Sequence, residues 1–209
     1  MSDLEFISYP LAKVHANNIY RKLRHIVAGV VQHIVAGVVL ISNLGLAAQT
    51  PVSREYQLKA VFIFNFTQFV EWQPSSFPTD QAPIVIGILG KNPFGGYLED
   101  IVSGEKVNGH PVSVQYYSNL AEVRSCHILF INLPEPNQME RVIQDLKDRH
   151  TLTVSDEPEF SERGGIIRLF TRDNKIKFQV NLEASKSVGL VLSSKLLRLA
   201  EIYVPSKNN

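Results

Sequence analysis

The chain has 209 residues, 44% hydrophobic and 20% charged, enough apolar material for one core. Lys and Arg total 21 against 20 Asp and Glu, so no charge excess holds the chain to nucleic-acid phosphates. The lone cysteine, Cys126, excludes an intramolecular disulfide and a cysteine-rich zinc site.

From the amino terminus, the basic patch Arg21-Lys22-Leu23-Arg24 precedes an apolar run, and no Lys, Arg, Asp or Glu stands between Arg24 and Ser53. Small residues close the run at Gly45-Leu46-Ala47. Basic flank, apolar stretch and small residues in that order predict a secretory signal peptide over 1–47, with cleavage after Ala47 or Ala48. The run is also long enough for an uncleaved transmembrane anchor. Its length comes partly from a duplication, since HIVAGVV occurs at His25–Val31 and again at His33–Val39. On either reading the positive flank stays cytoplasmic and the rest, a near-neutral domain over 48–204 with a frayed 205–209 tail, is exported.

Ser53 is placed to cap a helix in which Leu58, Val61, Phe62, Phe66 and Phe69 recur at helical spacing and form the expected core face. Phe64 and Trp72 are offset from that face and are expected on a dimer or partner surface. Pro74 and the segment PSSFPTD end the helix. PIVIGILG (83–90) reads as a buried strand, followed by a turn and a helix to about Val102. A second strand is expected near Val112–Tyr117, a short helix around Leu120–Val123, and a third strand over Cys126–Leu133. The segment 134–150 gives a helix with Met139, Val142, Ile143 and Leu146 on one face. Thr151–Val154 is a fourth strand, and Ser155-Asp156 is expected to cap a brief helix to Arg163. IIRLF and KIKFQV, joined at Asp173-Asn174, read as a hairpin. Leu182–Tyr203 is expected as a closing helix. Strands alternating with helices predict an α/β single-domain sandwich, its mostly parallel central sheet flanked by helices and an antiparallel hairpin at one edge.

Chemistry-bearing patterns are sparse. The glycines of Gly87–Gly96 match neither a P-loop nor a dinucleotide fingerprint and read as turn formers. Ser193-Ser194-Lys195 falls in a helical pattern, where a capping role explains it. Cys126 and His127 are neighbours whose side chains point apart along a strand, so they do not form a nucleophile–base pair. His110, His127 and His150 lack metal-ligand spacing. Asp156, Glu157, Glu159 and Glu162 suit the start of a helix. No catalytic residue, metal ligand or cofactor site is assigned, and a hydrolase ranks last among the readings.

KAVFIFNFTQFVEW, PIVIGILGKNPFG, CHILFI, LTVSDEPEFSERGGIIRL and KIKFQVNLEASKSVGLVLSSKLLRLA occur in that order. Together they resemble the YfiR family of bacterial periplasmic proteins, from about Glu55 to Glu201. The resemblance implies a homodimeric periplasmic regulator, not an enzyme. Such a protein binds the periplasmic part of an inner-membrane diguanylate cyclase and holds it inactive. An OmpA-like outer-membrane lipoprotein sequesters the repressor and releases cyclic-di-GMP synthesis and biofilm formation. Family members can carry several cysteines in disulfides; here IVIGILG offers Cys126 no partner, which leaves an intermolecular bond as its route to oxidation.

Two binding modes follow. As a partner-binding repressor, the chain would use Phe64, Trp72, Glu183 and Lys186. As a small-molecule sensor or carrier, it would use the crevice at the carboxyl ends of the strands, where Asn92, Asn132, Ser155 and Asp156 are the candidate groups.

Overall fold

The structure, a computed structural model, describes residues 52–205. The expected signal segment and the last four residues of the tail lie outside them. Helix α1 spans Arg54–Phe66 and Ser53 caps it, its hydroxyl accepting from the Tyr56 N–H. Strands β1 (Val70–Glu71) and β2 (Ile84–Gly90) follow, with a 3₁₀ turn at Pro74–Ser76 between them. Helix α2 (Tyr97–Val102), β3 (Lys106–Val107), β4 (His110–Tyr117) and a 3₁₀ turn at Leu120–Glu122 come next. Strand β5 (Ile128–Asn132), α3 (Pro136–Asp145), β6 (Leu152–Ser155), β7 (Ile167–Arg172) and β8 (Lys175–Val180) continue the chain. It closes with α4 (Leu182–Ser187), β9 (Val191–Leu192), α5 (Ser194–Leu197) and β10 (Glu201–Ile202).

The main sheet has the order β10-β8-β7-β6-β5-β2-β4-β3. Pairing is parallel from β7 through β6, β5 and β2 to β4, and antiparallel within β7–β8 and β3–β4. The α/β reading with a mostly parallel central sheet therefore holds. Asp173 and Asn174 both take positive φ, 52° and 56°, the two-residue turn that matches the twist of a hairpin. Strand β10 adds a short parallel pairing outside β8.

Side-chain alternation sorts the strands onto two cores. Ile84, Ile86, Ile88, Ile128 and Phe130 join α1 and α2 residues on one face. Leu89, Leu129 and Ile131 meet Met139, Val142, Ile143 and Leu146 of the α3 segment on the other, the face read from the sequence. Gly87 lies where β2 is crowded from three sides. A Cβ there would come within 2.6–2.8 Å of Tyr117, the Cys126 sulfur and Leu129, so only glycine fits.

Three expectations need correction. The first concerns the α1 face. Its buried residues are Lys59, Ala60, Ile63 and Phe66, whereas Leu58 and Val61 are exposed. The cause is Lys59, whose ammonium lies 2.6 Å from Asp156 and 2.7 Å from Glu55. Paired in this way, a lysine joins the core face and rotates the helix away from the pattern its apolar residues trace. Phe69 falls beyond the helix end, where Thr67 caps the last turn by donating to the Phe64 carbonyl.

The second is the chain end, where no single helix spans Leu182–Tyr203. Asn181 and Ser193 each cap a separate short helix. Gly189 at φ +71° interrupts them, and a Cβ there would meet the His150 ring at 3.2 Å. Strand β9 then pairs with β1, and β10 with β8.

The third is the expected helix after Ser155-Asp156. Residues 158–164 form turns instead, and the acids serve as ion-pair partners, Asp156 for Lys59 and Glu159 for Arg163.

Candidate functional site

The two ends of the parallel sheet differ in chemistry. At the carboxyl ends stand Asn92, Asn132, Ser155 and Asp156. Asn132 donates its amide to the Lys91 carbonyl, and Asn92 bridges the Phe94 N–H and the Gly95 carbonyl. Ser155 donates to the Ile131 carbonyl at 2.7 Å and accepts from the Glu157 N–H, while Asp156 holds Lys59. Each of the four is tied into the fold by these bonds.

At the amino ends, four rings from distant parts of the chain converge. Phe77 stacks between His110, with centroids 4.0 Å apart, and His127, at 4.6 Å. Trp72 meets His127 edge-on at 5.5 Å. His110 donates Nδ1–H to the Ala82 carbonyl. His127 is gripped twice by Val85: its backbone N–H donates to the Val85 carbonyl, and its Nδ1 accepts the Val85 N–H at 3.1 Å. On its other side the His127 carbonyl accepts from the Leu152 N–H. With Nδ1 an acceptor, the neutral ring carries its proton on Nε2. Burial pushes the His127 imidazole down to about 4, the nearby His110 adds to that shift, and the Ser76 backbone opposes it.

Two cavities open beside these rings, and the 72–78 segment contributes to both. One, of about 430 Å³, is lined by Trp72, Phe77, His110, Glu71 and Asp80 among others. The other, of about 300 Å³, includes Ser76, Arg124, His127, Arg149 and Thr151 in its walls. Buried polar atoms without a hydrogen-bond partner among the described residues include Trp72 Nε1, Ser76 Oγ and His127 Nε2, all three at this place.

Cys126 is buried beside the second cavity, with Sγ 2.9 Å from the Ile128 carbonyl, and burial pushes its thiol up to about 12. It shares no hydrogen bond with His127. Trp72 and Phe64 are half-buried and pack against the main core, so neither is the fully exposed aromatic that the helical pattern suggested. Glu183 and Lys186 are exposed on α4. Sequence reasoning missed the meeting of Phe77, His110 and His127. In the sequence Phe77 sits in the segment that ends the first helix, and residues so far apart in sequence carry no local signal of contact.

Among the described residues no helix is long and apolar enough to cross a membrane, and no group of three or more His, Cys, Asp or Glu is placed to hold a metal ion. The fold and this site describe an α/β domain whose distinctive chemistry lies at the amino ends of its sheet. The profile of the YfiR/HmsC-like family matches residues 56–201, from α1 to the first residue of β10. The chain belongs to the YfiR/HmsC-like family. No curated protein matches it.

Proposed function

We propose that the chain is a periplasmic regulatory protein that binds the periplasmic part of an inner-membrane diguanylate cyclase and represses it, lowering cyclic-di-GMP and biofilm formation. The observation that carries this reading is the family match, which covers nearly all the described residues. The basic, apolar and small-residue order of the first 47 residues supports export. Under this reading the protein acts by stoichiometric contact as a homodimer, an OmpA-like lipoprotein relieves the repression, and Phe64, Trp72, Glu183 and Lys186 are the first contacts to test. Co-purification of the exported domain with a membrane diguanylate cyclase tests it directly. Deleting the gene is expected to raise cyclic-di-GMP and surface attachment; unchanged levels of both would sink the reading.

A second reading, a small-molecule-binding sensor or carrier, is supported by the two cavities and the three unpartnered polar atoms beside them. It is compatible with the first if a ligand tunes the partner contact. Thermal-shift screening of metabolites tests it, because a ligand that binds the native state alone raises its melting temperature.

A further inference from the structure

The geometry points to the cavity between residues 75–78, 123–127 and 149–151 as a binding site for a small molecule carrying an oxyanion group, a sulfate, phosphate or carboxylate. This rests on the second reading above and narrows it to a place and a charge.

The first support is His127, which is 3% exposed and lines the cavity. Its backbone N–H and Nδ1 are both committed to Val85, so the ring cannot turn to find another partner. What remains is Nε2–H, which lies beside the Ser76 backbone but makes no hydrogen bond of ordinary geometry among the described residues. A buried donor left this way has given up water without gaining a full replacement, so a bound acceptor would satisfy it. Ser76 is another wall residue of this cavity, and its Oγ is buried without a partner among the described residues.

Charge is the second support. Arg124 and Arg149 both line the cavity, and among the described residues no carboxylate does. Arg149 donates one of its N–H groups to the Val123 carbonyl, which anchors the guanidinium while leaving other donors. Arg124 is exposed and forms no ion pair among the described residues. A guanidinium beside neutral N–H and O–H donors is a donor set that oxyanions satisfy, since each of their oxygens accepts and none need donate. The volume, about 300 Å³, sits at the small end of ligand pockets and suits a metabolite-sized anion, not a polymer.

The chain has one tryptophan, Trp72, and it touches His127 edge-on, so its fluorescence reports on the site. The test is a titration of the exported domain with sulfate, phosphate and acetate, each at constant ionic strength held with chloride. The expected result is a saturable Trp72 response to at least one oxyanion, its midpoint about tenfold or more weaker in Arg124→Ala and in His127→Asn. Asn at 127 keeps an acceptor for the Val85 N–H while deleting the Nε2 donor, and Arg124 is exposed, so folding survives in at least one variant. No saturable response to any of the three overturns the inference. So does an equal response in wild type and Arg124→Ala, the mark of a general salt effect. If the oxyanions are silent while a neutral metabolite raises the melting temperature, the oxyanion site fails and the second reading stands. If no ligand of either kind acts, both fail.

Discussion

The carboxyl and amino ends of the parallel sheet carry polar side chains in similar numbers but spend them differently. At the carboxyl ends Asn92, Asn132, Ser155 and Asp156 close turns and tether α1. At the amino ends Trp72, Ser76 and His127, residues that line the two cavities, each keep a buried polar atom without a partner among the described residues. Polar residues at a strand end are therefore a poor guide to binding by themselves. What separates the two ends is whether the fold has already satisfied them. The open α/β sheet directs attention to the carboxyl ends; here three unsatisfied groups gather at the other end, although Glu99 Oε2, beside Tyr116, also lacks a partner among the described residues.

If the carboxyl end is structural, damage there should unfold the protein. The largest effect is expected for Asp156→Ala, which removes one of two partners from Lys59, a side chain only 4% exposed. A loss of about 2–3 kcal/mol is expected by urea denaturation, because the buried ammonium is left with only the half-exposed Glu55 carboxylate. Lys59→Met, which removes the charge itself, should cost much less. A loss for Lys59→Met as large as for Asp156→Ala would contradict the role assigned to the pair.

Acid should act at the opposite end, through His127. Its folded pKa, about 4, lies below the ordinary 6.5, so between those values the native state binds fewer protons than the unfolded chain. This contribution is fully present above pH 6.5 and is lost as pH falls towards 4. The total is on the order of 2–3 kcal/mol, read as a shift of the urea midpoint with pH. Burial is the main cause, and the geometry agrees with it, since a second ring proton would have to displace the Val85 N–H from Nδ1. In His127→Asn that part of the slope should vanish.

A smaller change is expected for Ser155→Ala, about 1–2 kcal/mol, as the Glu157 N–H loses its acceptor and the Ile131 carbonyl its donor. Least visible is Cys126. With its thiol buried and pushed up to about 12, iodoacetamide should label the native protein far more slowly than the unfolded chain in urea. Labelling at the rate of a free thiol would mean that this wall of the cavity opens far more often than the packing implies.

Much of the scaffold was legible because it is written locally. Continuous β-branched runs gave β2 and β5, Asp173-Asn174 gave the hairpin, and Met139, Val142, Ile143 and Leu146 gave the packed face of α3. The misreadings share one cause, a long-range partner overriding a local pattern. Lys59 enters the core only because Asp156, 97 residues away, is there to meet it. Helical spacing over Leu182–Tyr203 yields to β1 and β8, which draw two short strands out of it. The amino-end site was illegible for the same reason. Trp72 and Phe77 looked like a helix end and a loop, His110 and His127 like scattered histidines, and only the sheet brings them together.

One spectrum tests the contrast between the two ends most directly. In an amide and indole correlation spectrum of the labelled domain, sulfate is expected to shift the single Trp72 indole N–H saturably. The side-chain amides of Asn92 and Asn132 should stay in place. Shifts at Asn92 and Asn132 with an unmoved Trp72 indole would reverse the assignment and return the binding end of the sheet to the carboxyl ends of its strands.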